Sequence, residues 1–181
     1  MPIAEDPRIP FGNFAFQVTF EGVEGEDFAP AGGVDEALFG GFSEISGIEA
    51  TMEHKVIKVG GRNYGAAVRA GPVTFGTVVM KRGMVRSRHL WRWWSMFAGA
   101  DGASDARPVK ANRCNVVVGL ISTIGDAAEK DKKPDVRVGW LLRNAMPVKF
   151  RAGDLNAKGS EVAIEELHLV HEGIDMLGIG E

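Results

Sequence analysis

The segment NFAFQVTFE, residues 13–21, carries apolar side chains at every second position, namely Phe14, Phe16, Val18 and Phe20. Alternation with a period of two is typical of a β-strand that buries one face and exposes the other. Because 24 of the 181 residues are Gly and 8 are Pro, we expect a turn-rich chain built mainly of strands.

Further strands are predicted on the C-terminal side of this segment. The segments with the strongest strand character are 42–47, 48–59, 73–82, 116–122, 136–143, 146–151 and 161–172. The first two are expected to form one bent strand with Gly47 at the bend. About seven or eight strands in all suit a small barrel or a two-sheet sandwich.

The last predicted strand has a break in its alternation. Val162 and Ile164 fall on one face, whereas Leu167 and Leu169 fall on the other. A β-bulge near Glu165 and Glu166 would restore one continuous apolar face. These two carboxylates are therefore interpreted as a solvated position and a bulge rather than as an acid–base pair.

One helix is predicted over residues 88–98, with Ser87 as its N-terminal cap and Gly99 just past its end. Its apolar stripe, predicted to pack on the core, consists of Leu90, Trp93, Trp94 and Phe97. Trp91 and Arg92 lie on the flanks and are candidate subunit-interface residues. The alternation of bases and aromatics in RHLWRWW, residues 88–94, would also suit single-stranded nucleic acid, but the helical stripe favours core packing.

No pattern in the sequence assembles a catalytic, cofactor or metal site. Phosphate-binding glycine motifs are absent, and His168 and His171 would lie on opposite faces of a strand. The single cysteine, Cys114, is interpreted as a buried thiol in a protein made and assembled in a reducing cytoplasm. The longest apolar candidate, residues 116–121, is far too short to span a membrane, so no stable membrane anchoring is expected.

The charges are strongly segregated along the chain. Residues 1–53 contain eleven acidic residues and one base, whereas residues 54–100 contain nine bases and no acid. Two interpretations stay open. Either the two segments become neighbouring strands that neutralise each other, or the basic segment faces a polyanion or a complementary acidic surface.

Three groups of motifs occur in a characteristic order over residues 11–173. They are FGNFAFQV (11–18) with GFSEISGI (41–48) and Gly60-Gly61, then VMKRGM (79–84) with Leu90-Trp91, then RNAMPVKF (143–150), DLNA (154–157), EVAIE (161–165) and LVHEG (169–173). Together they resemble the tail-tube protein family of contractile phages and phage-like, extracellular contractile injection systems. The chain departs from that pattern at Met146, where the family usually has Trp, and in a longer insertion at 24–41.

The resemblance implies one tube-protein domain over residues 1–181, with an N-terminal arm at 1–10 and a flexible insertion at 24–41. It implies a flattened β-barrel of two sheets with one flanking helix. Hexameric rings of such subunits stack into an inner tube inside a contractile sheath, with sheath and baseplate proteins as partners and DNA or a protein effector as cargo. The implied protein is structural, is not an enzyme, and belongs to a phage tail or a released tail-like particle.

In the resembling family, the loop that corresponds to residues 60–72 reaches the neighbouring ring. The predicted inter-ring residues are Gly60, Gly61, Arg62, Asn63, Tyr64 and Arg69. Two alternatives are kept. One is a baseplate tube-initiator or adaptor of the same fold, and the other is a small-molecule-binding β-barrel, which would need convergent polar groups in a closed pocket.

Overall fold

β-Strands account for most of the residues that the computed structural model describes, which are 16–22, 41–84, 89–100, 113–121, 136–153 and 162–178. The predicted arm 1–10 and all but residue 41 of the predicted insertion 24–41 lie outside these ranges. The elements are β1 Phe16–Gly22, β2 Phe42–Ser46, β3 Ala50–Ile57, β4 Ala67–Phe75, β5 Val78–Gly83, α1 His89–Ala98, β6 Cys114–Ile121, β7 Val136–Arg151, β8 Ile164–Val170 and β9 Gly173–Gly178. The expected mainly-β fold with one helix is confirmed.

Seven strands form one antiparallel sheet in the order β1-β6-β7-β8-β5-β2, with β9 paired to β7 off this path. β7 belongs to both parts of the sheet, because its first half pairs with β6 and β9 whereas residues 146–151 pair with β8. Asn144 lies between the two halves with a φ of 54°. Its backbone N–H donates to Asn115 Oδ1 at 3.0 Å, which holds the strand where it changes partners.

A single hydrophobic cluster joins the two parts of the sheet to α1. Its buried members come from β1, β2, β5, β6, β7, β8 and α1, and include Val18, Met80, Trp93, Val116 and Leu167. The Phe20 ring meets the Trp93 ring edge-on, with 5.6 Å between the ring centroids. The period-two pattern predicted for the first strand is confirmed, since Val18 and Phe20 are both buried.

The structure corrects several predicted strand boundaries. The segment 73–82 is not one strand, because Gly76 and Thr77 separate β4 from β5. β4 begins at Ala67, so the predicted loop 60–72 is shorter and lies within residues 58–66. Residues 146–151 are not a separate strand but the second half of β7. The predicted strand 161–172 corresponds to β8, and the sequence did not predict the strand β9 that follows it. The bend predicted at Gly47 is a break between β2 and β3, with a φ of 83°.

The predicted bulge at Glu165 and Glu166 is wrong. β8 pairs with β5 in an unbroken register from Ile164 to Leu169, and the irregularity lies instead in β7, between Pro147 and Lys149. Glu165 shares the buried face with Leu167 and Leu169, while Ile164 is exposed. The alternation was misread because a charged residue occupies an interior position.

Candidate assembly interface

β3 and β4 form a two-stranded hairpin that pairs with no other strand of the described chain. Most of its residues are solvent-exposed. Residues 47–49 connect the hairpin to β2, and residues 76–77 connect it to β5. A hydrogen bond joins these two connections, in which the backbone N–H of Gly76 donates to the carbonyl oxygen of Glu49 at 3.1 Å. Within the described part of the chain, both edges of the hairpin and most of its two faces are therefore open to another molecule.

One face of the hairpin is mainly apolar, and His54 is its polar member. In the antiparallel register Met52 lies opposite Val73, and Val56 lies opposite Val68, so that these side chains share a face. Val56 is 54% exposed and Val68 is 62% exposed. β-Branched residues packed side by side on an open strand pair favour burial against a second surface.

The apolar face reaches the body of the subunit at its base. Phe75 lies opposite Ala50 in the register, and its ring centroid is 5.3 Å from that of His171. Nδ1 of His171 donates to the carbonyl oxygen of Gly173 at 3.0 Å. Burial lowers the pKa of His171 below its ordinary value, and the bond to Gly173 opposes this shift.

The opposite face of the hairpin is polar and contains Glu53 as well as the basic residues Lys55 and Arg69. Thr51 lies opposite Thr74, whose hydroxyl donates to the Thr51 carbonyl oxygen at 3.4 Å. Lys55 lies directly opposite Arg69, and both side chains are exposed. Arg69 is therefore a strand residue in β4, not the loop residue that the sequence predicted.

The other predicted inter-ring residues form the turn between β3 and β4. Gly60, Gly61, Arg62, Asn63 and Tyr64 are all exposed, and Tyr64 reaches 95% exposure. Gly61 adopts a φ of 78°, in the left-handed region that favours glycine. The structure thus brings this turn and Arg69 together on one projecting hairpin.

Sequence reasoning missed the apolar face of this hairpin. The signal was present in the alternation of Met52 and Val56 and in the matching Val68 and Val73. This alternation indicates a strand, but a period of two does not show whether the surface that covers its apolar face belongs to the same chain.

The helix residues predicted for core packing turn toward the sheet. Leu90 and Trp93 are fully buried, while Trp94 and Phe97 are partly buried against the core cluster. Trp91 packs at 5.1 Å from Trp94 and edge-on at 5.4 Å from Phe150 of β7. Arg92 is exposed. The Trp91 ring is thus largely used in the subunit itself, which leaves Arg92 as the more accessible of the two candidate interface residues.

Two findings concern metal binding and thiol chemistry in the described residues. They contain no group of three His, Cys, Asp or Glu side chains placed to hold a metal ion. Burial raises the pKa of the Cys114 thiol well above its ordinary value, which keeps it protonated and unreactive. Within the same ranges, the helix is too short and too polar to cross a membrane.

Comparison with known proteins decides the family. A model of the T4-like virus tail tube protein gp19 matches residues 12–175. The chain belongs to this tail tube family. No curated protein sequence matches the chain.

The fold of this tail tube family member is shared with solved components of contractile systems. A chain of the anti-feeding prophage baseplate is 24% identical, with coverage of 94% of this chain and 97% of that one and a TM-score of 0.68. A chain of the PVC extracellular contractile injection system sheath–tube complex is 13% identical, with coverage of 96% and 95% and a TM-score of 0.68. A chain of the anti-feeding prophage cap is 15% identical, with coverage of 97% and 96% and a TM-score of 0.69.

Proposed function

We propose that this tail tube family member is the inner-tube subunit of a contractile particle. Hexameric rings of the chain stack into a tube inside a sheath and give a conduit through which DNA or a protein effector enters a target cell. The whole chain, 1–181, acts as one structural domain without enzymatic activity or cofactor. It is made and assembled in the cytoplasm, and is released as part of a tail or tail-like particle that contacts sheath and baseplate proteins.

The observation that carries this proposal is the projecting hairpin with an exposed apolar face. An open strand pair with exposed Val56 and Val68 is a liability in a free monomer, since it invites uncontrolled association. A contact between one surface of a subunit and a different surface of the next gives rings when it closes and filaments when it does not. Burial of the apolar face against another copy supplies the affinity for such an assembly.

The turn at the end of the hairpin and the helix are assigned to two contacts. Residues 60–64 and Arg69 contact the neighbouring ring. The turn lies at the end of the hairpin that is farthest from the connections to the sheet, so it is the part of the hairpin best placed to meet another subunit. Trp91 and Arg92 lie at the contact between neighbouring subunits of one ring, with Arg92 as the exposed member.

A second candidate function is a baseplate tube initiator or adaptor. It is favoured by the chain from the anti-feeding prophage baseplate, whose identity of 24% exceeds the 13% of the chain from the PVC sheath–tube complex. An initiator forms one ring and passes its growth to another protein, whereas an inner-tube subunit adds to itself. Self-propagation of the purified chain separates the two functions.

Negative-stain microscopy of the purified protein and of two variants tests the proposal. We expect the wild type to form tubes of stacked rings, whereas V56D/V68D stays folded by circular dichroism but forms no tubes. V56T/V68T keeps side-chain shape and strand propensity, so it should form shorter or fewer tubes. Tubes of normal length from V56D/V68D would contradict the role of the apolar face, and isolated rings from the wild type would favour the initiator.

A further inference from the structure

The base of the hairpin rests on a buried histidine of the main sheet. His171 lies in the two-residue connection between β8 and β9 and is buried. The ring of Phe75, the last residue of β4, lies against it, with 5.3 Å between the ring centroids and 47° between the ring planes. This aromatic contact therefore joins the hairpin to the body of the subunit at the point where the hairpin begins to project.

One nitrogen of the His171 ring has no partner. Nδ1 carries the proton of the neutral ring, because it donates to the carbonyl oxygen of Gly173 at 3.0 Å. Nε2 is buried and has no hydrogen-bond partner within the described chain. A proton taken up at Nε2 would create a positive charge and an unsatisfied N–H donor inside the protein, and both cost free energy. Burial accordingly lowers the pKa of His171, against the opposing effect of the bond to Gly173.

The charged side chains on the elements around His171 do not compensate such a charge. Arg143 of β7 pairs with Asp175 of β9 at 3.1 Å, and Arg113 pairs with Glu172 at 2.6 Å. The exposed Glu49, before β3, lies against the backbone of the connection 76–77. Within the described residues, none of these groups is hydrogen-bonded to the imidazole. A protonated ring would therefore need water.

The hairpin is the element that can yield to this charge. β7, β8 and β9 belong to the seven-stranded sheet, whereas the hairpin pairs with no other strand of the described chain. The connections 47–49 and 76–77 attach it to the sheet, and a backbone hydrogen bond joins them. Movement of Phe75 away from His171 would thus admit water to Nε2 without breaking any strand pairing of the sheet.

We propose that His171 is a proton-sensitive latch that holds the base of the β3–β4 hairpin. The neutral ring keeps Phe75 packed against it, and the protonated ring releases Phe75, so that the hairpin turns about the connections 47–49 and 76–77. The latch acts within one subunit, so this inference goes beyond the proposed function and does not depend on it. It makes the direction in which the hairpin projects dependent on pH.

The test is the distance between spin labels at Y64C, in the hairpin turn, and R92C, on α1, measured by double electron–electron resonance. Both positions are exposed, and the buried Cys114 stays unlabelled. The protein is kept below the concentration at which light scattering detects assembly. We expect a narrow distance distribution at about pH 7.5 and its loss at about pH 5, where NMR of the His171 ring should show that it is protonated.

Three further variants assign the response. H171Q carries no titratable ring, so it should keep the narrow distribution at both pH values. H54Q is the matched control, because His54 is an exposed histidine of the hairpin itself, and it should respond as the wild type does. F75L keeps His171 but lacks the second ring, so it should lose the narrow distribution already at about pH 7.5.

Four results would overturn the inference. The first is an unchanged narrow distribution at about pH 5 with His171 protonated, which would show that the imidazolium holds the Phe75 ring by a cation–π contact. The second is a His171 ring that stays neutral at this pH. The third is opening of H171Q at acid pH, since another group would then titrate. The fourth is a narrow distribution for F75L, since the aromatic contact would then not hold the hairpin.

Discussion

Arg82 Nε lies 2.5 Å from Glu165 Oε1, and both residues are buried inside the fold. They are directly opposite each other in the register of β5 and β8. The Arg82 guanidinium also lies over the ring of Phe42, 5.8 Å from its centroid, so it links the edge strand β2 to the core. Because both side chains are buried, the loss of either partner leaves a charge without compensation.

Removal of one partner from this pair is expected to be severe. E165L should lower the free energy of unfolding by about 3–5 kcal/mol, because it leaves the buried Arg82 unpaired. The exposed pair of Lys81 and Glu44 gives the control, and E44Q should lower the free energy of unfolding far less than E165L does. Urea unfolding measures both values, and the double variant R82M/E165L should recover most of the loss. A cost for E165L no larger than that for E44Q would show that the pair is hydrated.

Helix α1 provides a second stability test. Leu90 is fully buried against the sheet, whereas Arg92 on the same helix is exposed. L90A should therefore lower the free energy of unfolding by about 2–5 kcal/mol. R92A should change it by less than about 0.5 kcal/mol. Equal effects of the two substitutions in thermal or urea unfolding would contradict the packing of the helix.

Two glycines with similar backbone angles should respond differently to a methyl group. Gly47, at the junction of β2 with the hairpin, has a φ of 83°, and a Cβ there would collide with the carbonyl oxygen of Thr77. Gly61, in the hairpin turn, has a φ of 78°, and a Cβ there would meet no atom within 4 Å. Both substitutions carry the left-handed cost of about 1–2 kcal/mol, but only G47A adds a clash. In thermal unfolding, the Tm of G47A should therefore be lower than that of G61A. A lower Tm for G61A would contradict the close approach of Gly47 to Thr77.

Acidification is expected to destabilise the subunit through His171. Burial lowers its pKa below the ordinary value of 6.5, so the unfolded chain takes up this proton at a higher pH than the folded chain does. The free energy of unfolding should therefore fall as the pH decreases through 6.5 toward the lowered pKa, and this loss stops growing below it. Urea unfolding between about pH 7.5 and 5.5 measures the slope. H171Q should show a smaller slope than wild type, and equal slopes for wild type and H171Q would disprove the linkage.

Strand β1 and helix α1 could be predicted from the sequence, because their patterns depend on residues that are close together in the chain. Alternation in β1 and the helical spacing of Leu90 and Trp93 report burial within the same chain, so these elements were placed correctly. Gly99 ends the helix as expected, with a φ of 68° and its N–H bonded to the Ser95 carbonyl oxygen at 2.7 Å.

The remaining features depend on partners distant in sequence. Glu165 was assigned to solvent because its partner, Arg82, is 83 residues away. The positive φ of Asn144 depends on contacts with Asn115, and neither residue alone predicts that β7 changes partners there. The apolar face of the hairpin escaped prediction for a related reason, since the surface proposed to cover it belongs to another copy.

The most direct test of the inner-tube function is the copy number of this chain in purified particles of different length. Cryo-electron microscopy gives the length of each particle class, and quantitative mass spectrometry gives the amount of the chain relative to a baseplate protein. If the chain builds the inner tube, its copy number should rise in proportion to particle length. A small copy number that is the same in short and long particles would contradict it and would assign the chain to the baseplate or the cap.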